Sequence, residues 1–153
     1  MINRYKKEIE ILVRAIIQDK EKISVCRKIG KKYYFFPGGH VEFGENAKKA
    51  LTRELKEELA INIKEPSFIG GSEYCFIKNG IKHHEINLSF RVLPQKLDTK
   101  SKEDHLRFFL FDKKQLIKEA VLPRPLKEAI LKWLKDKRSF WVSEIDKDFL
   151  KNK

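Results

Sequence analysis

The sequence has few cysteines, no long apolar run and no low-complexity tract. Its two cysteines, Cys26 and Cys75, lie far apart, and neither belongs to a Cys-x-x-Cys or Cys/His grouping. This spacing argues against a disulfide framework and against a cysteine-based zinc site. We therefore expect each cysteine to be a small apolar residue on a strand.

No apolar run in the sequence is long enough to cross a bilayer. The basic beginning, MINRYKKEIE, leads into a short apolar stretch that Arg14 interrupts, and no small-residue cleavage site follows. We therefore expect a soluble cytoplasmic protein with no membrane partner. The length of 153 residues and the hydrophobic content of 41% suit one compact domain, predicted over residues 1–153.

Acidic residues are in the minority, since 22 Asp and Glu stand against 34 Lys and Arg, for a formal net charge of +12. Such an excess of positive charge suggests a nucleic-acid partner. The lysines are nevertheless scattered along the chain and not gathered in one arm or helix. A scattered excess favours solubility and attracts ligands that carry phosphate, so nucleic acid is the less favoured partner.

The pattern of apolar residues predicts a mixture of strands and helices without strict βαβ alternation. Asn79-Gly80 predicts a tight hairpin, and Gly70-Gly71 predicts a bend or bulge. A mixed sheet covered by helices, an α/β fold, fits this order best. The predicted strands cover 8–18, 23–28, 33–36 (ended by Pro37), 67–77, 83–93 and 106–111, and the predicted helices cover 44–60, 112–120 and 125–136.

The helix predicted over 44–60 carries Glu54, Glu57 and Glu58 within an arc of about 100°. This arc lies beside its apolar stripe, at the border between core and solvent, where unpaired anions are costly. Mg²⁺ offsets such charge with carboxylate ligands, waters and substrate phosphates. Arg53 is suited to orient one carboxylate through its planar fork. The alternative is an ordinary solvated face of mixed Glu and Lys.

The longer segment GHVEFGENAKKALTRELKEELAI, residues 39–61, decides between these readings. It resembles the Nudix box, G-x5-E-x7-R-E-U-x-E-E-x-G-U, where U is a bulky aliphatic residue, and it matches at every fixed position but one. The departure is Ala60, where the family has glycine. Glycine at a helix end usually supplies a left-handed backbone conformation, so Ala60 either adopts it at a cost of about 1 kcal/mol or extends the helix.

The resemblance implies a Nudix α/β/α sandwich with a mixed central sheet, and hydrolysis of a nucleoside diphosphate linked to another group. It implies Mg²⁺ as cofactor, with Mn²⁺ as an alternative. By position in the box, Glu57 and Glu58 are the principal metal ligands, and Glu54 is a ligand and candidate general base. The Gly38 carbonyl is a backbone ligand. Arg53 orients a glutamate, and Glu45 supports the loop or binds metal through water.

Further site residues are expected outside the box. Glu85 is our preferred additional metal ligand, because it lies in a strand that begins polar and turns apolar; Glu73, Glu103 and Asp104 are the alternatives. His40 and His84 are candidate substrate-binding residues, although all of these side chains suit an ordinary exposed strand or loop as well. Six aromatic residues are either core or a surface for stacking a nucleobase, namely Tyr33, Tyr34, Phe35, Phe36, Tyr74 and Phe76.

The sequence therefore predicts a Mg²⁺-dependent Nudix pyrophosphohydrolase acting on a small nucleotide or nucleotide conjugate. Nucleoside triphosphates, nucleotide sugars, ADP-ribose, dinucleoside polyphosphates and capped RNA ends all remain open as substrates. A second hypothesis is a non-catalytic Nudix-fold module that binds nucleotide or nucleic acid. The oligomeric state is expected to be a monomer or a homodimer.

Overall fold

The structure, a computed structural model, describes residues 6–94, 100–145 and 149. Within these residues the chain forms strands and helices in mixed order, as its apolar pattern predicts. The strands are β1 (Lys6–Asp19), β2 (Lys22–Lys28), β3 (Gly38–His40), β4 (Ser67–Lys78), β5 (Ile81–Val92), β6 (Leu106–Phe111) and β7 (Phe140–Glu144). The helices are α1 (Ala47–Leu59), α2 (Lys113–Lys118) and α3 (Arg124–Asp136).

The strands form a mixed sheet in the order β6-β2-β1-β5-β4-β7, with β3 paired to β1 beside β2. The pairs β1–β5 and β4–β7 are parallel, whereas β1–β2, β1–β3, β2–β6 and β4–β5 are antiparallel. Asn79 and Gly80, with φ of 52° and 72°, form the predicted hairpin between β4 and β5. The register of that pair shifts between Phe68 and Gly70, which confirms the predicted bulge.

The core consists of two apolar clusters that share the sheet between them. Leu51, Leu55 and Leu59 of α1 pack in one cluster with alternate residues of β1, among them Val13. Leu116 of α2 and several residues of α3 pack in the other cluster with Ile16. Because neighbouring strand residues face opposite sides, one strand supplies both clusters. Helices therefore cover both faces of a mixed sheet, and the predicted α/β class is confirmed.

The aromatic segment before Pro37 is the main departure from the predicted elements. Tyr34 and Phe35 make only isolated bridges, and the strand β3 begins after the proline, at Gly38. Gly38 has φ of 142°, and a Cβ atom there would lie 1.9 Å from the Val13 carbonyl oxygen. The short strand thus forms where glycine lets the backbone approach β1, a close contact that aromatic content does not indicate.

The segment after α3 docks on the sheet, as its aromatic residues suggested. Phe140 pairs in register with Gly70 as β7 runs parallel to β4. Within 6–94 and 100–145, no helix combines the length and the apolar character that a membrane span needs. Part of the predicted polar loop, residues 95–99, lies outside the described residues.

Candidate active site

Helix α1 carries the acidic residues, and its position is fixed by a cap at each end and by a buried apolar stripe. The Asn46 side chain caps the first turn by accepting from the Lys48 and Lys49 backbone N–H groups at 2.9 and 3.4 Å. At the other end, Ala60 has φ of 51° and ψ of 30°, and its N–H donates to the Lys56 carbonyl. Ala60 therefore adopts the left-handed conformation that glycine would supply, and it does not extend the helix.

Arg53 connects the loop before α1 to the helix itself. Its Nε and Nη2 donate to the two carboxylate oxygens of Glu45 at 2.8 and 2.9 Å, and Nη1 donates to Glu54 Oε1 at 2.9 Å. Nη2 also donates to the His40 carbonyl at 3.1 Å, and Glu57 Oε2 lies 3.6 Å from Nη1. The hydrogen bonds from Arg53, followed by one from the Glu42 backbone N–H, lower the pKa of Glu45 to about 2. These contacts have the geometry that the predicted orienting role of Arg53 requires, and that role stays a prediction.

Glycine 39 brings the Glu54 carboxylate against the backbone of β3. A Cβ atom at Gly39 would lie 2.4 Å from the carboxyl carbon of Glu54 and 2.5 Å from its nearer oxygen. No larger residue fits there without moving the carboxylate. Gly39 therefore lets the Glu54 carboxylate lie directly against the β3 backbone, and a larger residue there would displace it.

Glu58 is the most strongly perturbed acid of the site. Its side chain is buried, with 5% exposure for the residue, and its Oε2 has no hydrogen-bond partner within the described part of the chain. Burial, followed by the charges of Glu54 and Glu103, raises the pKa of Glu58 to about 8; Arg14 and the Gly38 backbone N–H act in the opposite direction. A buried, unpartnered carboxylate oxygen near two other carboxylates fits a hard divalent cation with oxygen ligands.

Glu103 is the carboxylate outside the box that the structure brings to this cluster. The Lys102 N–H donates to the Glu58 carbonyl at 2.8 Å, which fixes the Glu103 loop against the end of α1. Glu85, our preferred candidate from sequence, lies on β5 in register with Glu10 and Tyr74. Within the described residues, Glu85 makes no hydrogen bond or ion pair with α1, so its role as a metal ligand stays a prediction.

The two histidines predicted to bind substrate each contact a carboxylate. The His40 side chain is exposed, and its Nε2 lies 2.9 Å from Glu10 Oε1. His84 Nε2 lies 3.2 Å from Glu73 Oε2, and Ser143 Oγ donates to the other oxygen of Glu73 at 2.8 Å. Both histidines remain predicted substrate contacts, and the Glu73 carboxylate is engaged by His84 and Ser143.

Arg14 is a site residue that the sequence reasoning did not identify. It is buried, with 8% exposure, although it stands in an apolar strand. Its Nε donates to Asn87 Oδ1 at 2.9 Å and its Nη1 to the Phe36 carbonyl at 3.1 Å. The Arg14 charge also lowers the pKa of Glu58 against the effect of burial. A cation inside an apolar run was the available signal, because such a charge needs buried partners.

The aromatic residues divide between core and surface. Tyr34 and Phe36 are buried in the cluster that contains α3. Tyr74 and Phe76 are half-buried on the sheet, where their rings stack with centroids 5.1 Å apart. The Phe76 ring also stacks on His83 at 4.8 Å. The Phe76 ring is thus covered by Tyr74 and His83, while Tyr33 and Phe35 are half-buried like Tyr74.

Comparison with known proteins agrees with this geometry. The family model of the NUDIX domain matches residues 9–135. The 8-oxo-dGTP diphosphatase of Escherichia coli (strain K12) is 32% identical over 74 residues, 46% of this chain and 57% of that protein. The protein of that name from Buchnera aphidicola subsp. Acyrthosiphon pisum (strain APS) is 39% identical over 64 residues, 41% of this chain and 52% of that protein. The matches thus span about half the length of these relatives.

Solved structures show the same fold. The mutator MutT protein from Bacillus halodurans superimposes with a TM-score of 0.72 at 19% identity, covering 92% of both chains. At that level of identity the likeness concerns the fold alone. The match of the family model over residues 9–135 includes α1 and its glutamates. The chain therefore belongs to the NUDIX domain family.

Proposed function

We propose that this protein is a Mg²⁺-dependent pyrophosphohydrolase that cleaves the diphosphate bond of a nucleoside triphosphate or nucleotide conjugate by attack of water on phosphorus. The single observation that carries the proposal is the buried Glu58 carboxylate, which has an unpartnered oxygen and acidic neighbours. A buried, ionised carboxylate destabilises the folded state when it has no cation beside it, and it can bind a metal ion when one is present.

The metal ligands in this proposal are the carboxylates of Glu54, Glu57 and Glu58 and the carbonyl of Gly38. Glu103 joins them as an additional candidate because its charge acts on Glu58, while Glu85 is retained as the candidate predicted from sequence. When bound, a divalent metal ion neutralises phosphate charge and lowers the pKa of a water that it binds. Mn²⁺ offers the same ligand preference for oxygen and is expected to substitute for Mg²⁺.

The protein's own groups position the nucleophile and its base. Glu54 is the candidate general base, because Arg53 holds one of its oxygens at 2.9 Å and Gly39 allows close backbone contact. The same arginine binds Glu45 in a bidentate manner, so the loop and the helix keep one geometry. A base held by this network accepts the proton of an attacking water without first losing rotamer freedom.

A nucleoside triphosphate is the favoured substrate class, with oxidised purine triphosphates the first to test. The support is the similarity to two proteins named 8-oxo-dGTP diphosphatase. The net charge of +12 raises the local concentration of a polyphosphate anion. The Tyr74 ring offers a surface for a base on the sheet face that also carries His40, a candidate contact to the rest of the substrate, and His84 is retained as the second candidate predicted from sequence.

The test is a Mg²⁺-dependent assay of pyrophosphate and phosphate release over nucleoside triphosphates, nucleotide sugars and dinucleotides, with product identification. Glu57→Gln and Glu58→Gln should each lower kcat by roughly 100-fold or more, since even supporting residues of metal sites contribute 10–100-fold. Glu65→Gln is the matched control, because Glu65 is exposed and pairs with Lys48 at the surface. Full turnover in both site variants would contradict the proposal.

The competing hypothesis of a nucleic-acid-binding module follows from the positive charge alone. It predicts metal-independent binding of DNA or RNA that weakens steeply with salt. A filter-binding titration at two salt concentrations in EDTA separates the two hypotheses. The complete set of box glutamates favours the enzyme, because a module that only binds has no need of buried acidic residues.

A further inference from the structure

We propose that Glu8, Glu10 and His83, joined by His40, form a Zn²⁺ site on the sheet, in addition to the α1 carboxylates. The four side chains come from three adjacent strands, β1, β3 and β5. This proposal does not depend on the enzymatic activity proposed above. No cysteine is involved, so the spacing of the two cysteines has no bearing on it.

The strand register places these residues on one face. Glu8 pairs with His83 and Glu10 with Glu85 in the parallel ladder of β1 and β5. His40 stands opposite Leu12 on the other side of β1. Because alternate strand residues share a face, Glu8, Glu10 and His83 all project to the same side, and β3 delivers His40 next to them.

The potential ligand atoms already converge. One ligand atom each from Glu8, Glu10 and His83 lies within 4.8 Å of the others. Glu10 Oε2 lies 2.7 Å from His83 Nδ1, and Glu10 Oε1 lies 2.9 Å from His40 Nε2. Tetrahedral zinc with bonds of about 2.1 Å needs ligand atoms roughly 3.4 Å apart. For Glu8, Glu10 and His83, side-chain adjustments of up to about 1.4 Å bring the ligand atoms to that spacing.

The central pair is partly buried and held in place. The side chains of His83 and Glu10 are 14% and 20% exposed. The His83 ring stacks on Phe76 with an angle of 9° between the planes, so its orientation is fixed before any ion binds. Each carboxylate oxygen of Glu10 already faces a histidine nitrogen, of His83 on one side and of His40 on the other.

The donor set selects the type of metal. Imidazole nitrogen together with carboxylate oxygen suits Zn²⁺, whereas Mg²⁺ prefers oxygen ligands in an octahedral arrangement. The α1 site consists of oxygen donors alone, so the two sites should differ in metal preference. A bound ion would also tie β3 to β1 and β5 beside the Nudix loop. The alternative is that the histidines form ordinary ion pairs with Glu10.

The test is an equilibrium competition for Zn²⁺ between the full-length protein and a chromophoric chelator, with Mg²⁺ in large excess. The wild type should bind one Zn²⁺ that Mg²⁺ does not displace. Glu10→Gln and His83→Gln should weaken binding at least about tenfold, with a smaller loss for His40→Gln. His84→Gln is the matched control, because His84 also pairs with a glutamate but lies outside this cluster; its affinity should stay unchanged.

Two results would overturn the proposal. One is a wild type with no Zn²⁺ site of micromolar affinity under these conditions. The other is binding that disappears in Glu58→Gln and persists in Glu10→Gln, which would assign the ion to α1. Since this assay does not measure catalysis, an inactive protein that still binds Zn²⁺ through Glu10 would refute only the enzyme hypothesis.

A second measurement covers the effect of the substitutions on folding. Glu10→Gln preserves side-chain shape, and His40 is exposed, so both variants should remain folded by circular dichroism. With Mg²⁺ in large excess to occupy α1, Zn²⁺ should raise the Tm of the wild type more than that of Glu10→Gln, because a bound ion stabilises the folded state. An equal rise in both proteins would contradict the site.

Discussion

Neutralising Glu58 should stabilise the metal-free protein at neutral pH. The residue is 5% exposed, and its pKa is raised from 4.5 to about 8, first by burial and then by the charges of Glu54 and Glu103. The folded state therefore favours the protonated acid. Glu58→Gln replaces that acid with a neutral group of the same shape, so the variant keeps the packing and loses the ionisation.

The sign and size follow from proton linkage. Between pH 4.5 and about 8 the folded state binds more protons at Glu58 than the unfolded state, so stability falls as pH rises through that window. The stabilising contribution is complete below pH 4.5, where both states are protonated. With 1.36 kcal/mol for each unit of pKa difference, the loss is about 3 kcal/mol at pH 7. Glu58→Gln should therefore be more stable than the wild type by up to about 3 kcal/mol at pH 7, and nearly equal to it near pH 4.5.

Urea unfolding in EDTA, followed by tryptophan fluorescence at the two pH values, measures this difference. Added Mg²⁺ should nearly cancel this difference at 100 times Kd, where binding to the folded wild type gives about 2.7 kcal/mol, and should reverse it at 1,000 times Kd, where it gives about 4.1 kcal/mol. Glu57→Gln is the control on the same helix: its side chain is 52% exposed, so its effect in EDTA should stay within about 0.5 kcal/mol.

Parallel loss of stability in the wild type and Glu58→Gln between pH 4.5 and 7 would refute the argument from buried charge. A failure of Mg²⁺ to stabilise the wild type would refute the assignment of Glu58 as a metal ligand. The two outcomes are separate, because the first concerns the empty protein and the second the bound ion.

Three further substitutions test the loop and helix that hold the site. In a urea titration, Ala60→Gly should raise the free energy of unfolding by about 0.5–1 kcal/mol, because the relief of left-handed strain exceeds the entropic cost of glycine. Ala120→Gly is the control: Ala120 is exposed and does not have a positive φ, so this substitution should lower the free energy of unfolding. Gly38→Ala should destabilise by about 4 kcal/mol or more in the same titration, because its Cβ would meet β1 at 1.9 Å, and a normal midpoint would contradict that clash. Arg53→Lys should lower kcat about 10–100-fold in steady-state assays with little change in Tm, because lysine cannot reproduce the fork to Glu45; unaltered kcat would argue against a positioning role.

Local signals predicted much of the framework. Asn46 caps α1 as its type suggests, and the leucines at helical spacing are buried. Asn79-Gly80 makes the hairpin because both residues tolerate positive φ. These features succeed because their physical causes lie within a few residues along the chain. The box glutamates, likewise, lie on one helical face by geometry alone.

Long-range contacts account for the departures from prediction. The strand beside Pro37 forms at Gly38 because that glycine packs on Val13, and the aromatic residues before it turn to the core. Glu103 reaches the α1 site through a loop anchored by the Lys102 N–H on the Glu58 carbonyl. No periodicity in a polar loop indicates such an approach. Glu85, which the sequence favours from its strand context, stays a predicted ligand.

By itself, the sequence determined the acidic helix, its cap, the glycines of the loop and the membership of the family, because all of these depend on residue type at short, fixed spacing. Tertiary structure alone decided which acid is buried, which arginine opposes it and which histidines meet Glu10. Burial and charge proximity arise from packing between distant segments, and they set the pKa of Glu58. The chemistry of the site therefore depends on a residue pattern that the sequence shows and on electrostatic interactions that arise only in the folded structure.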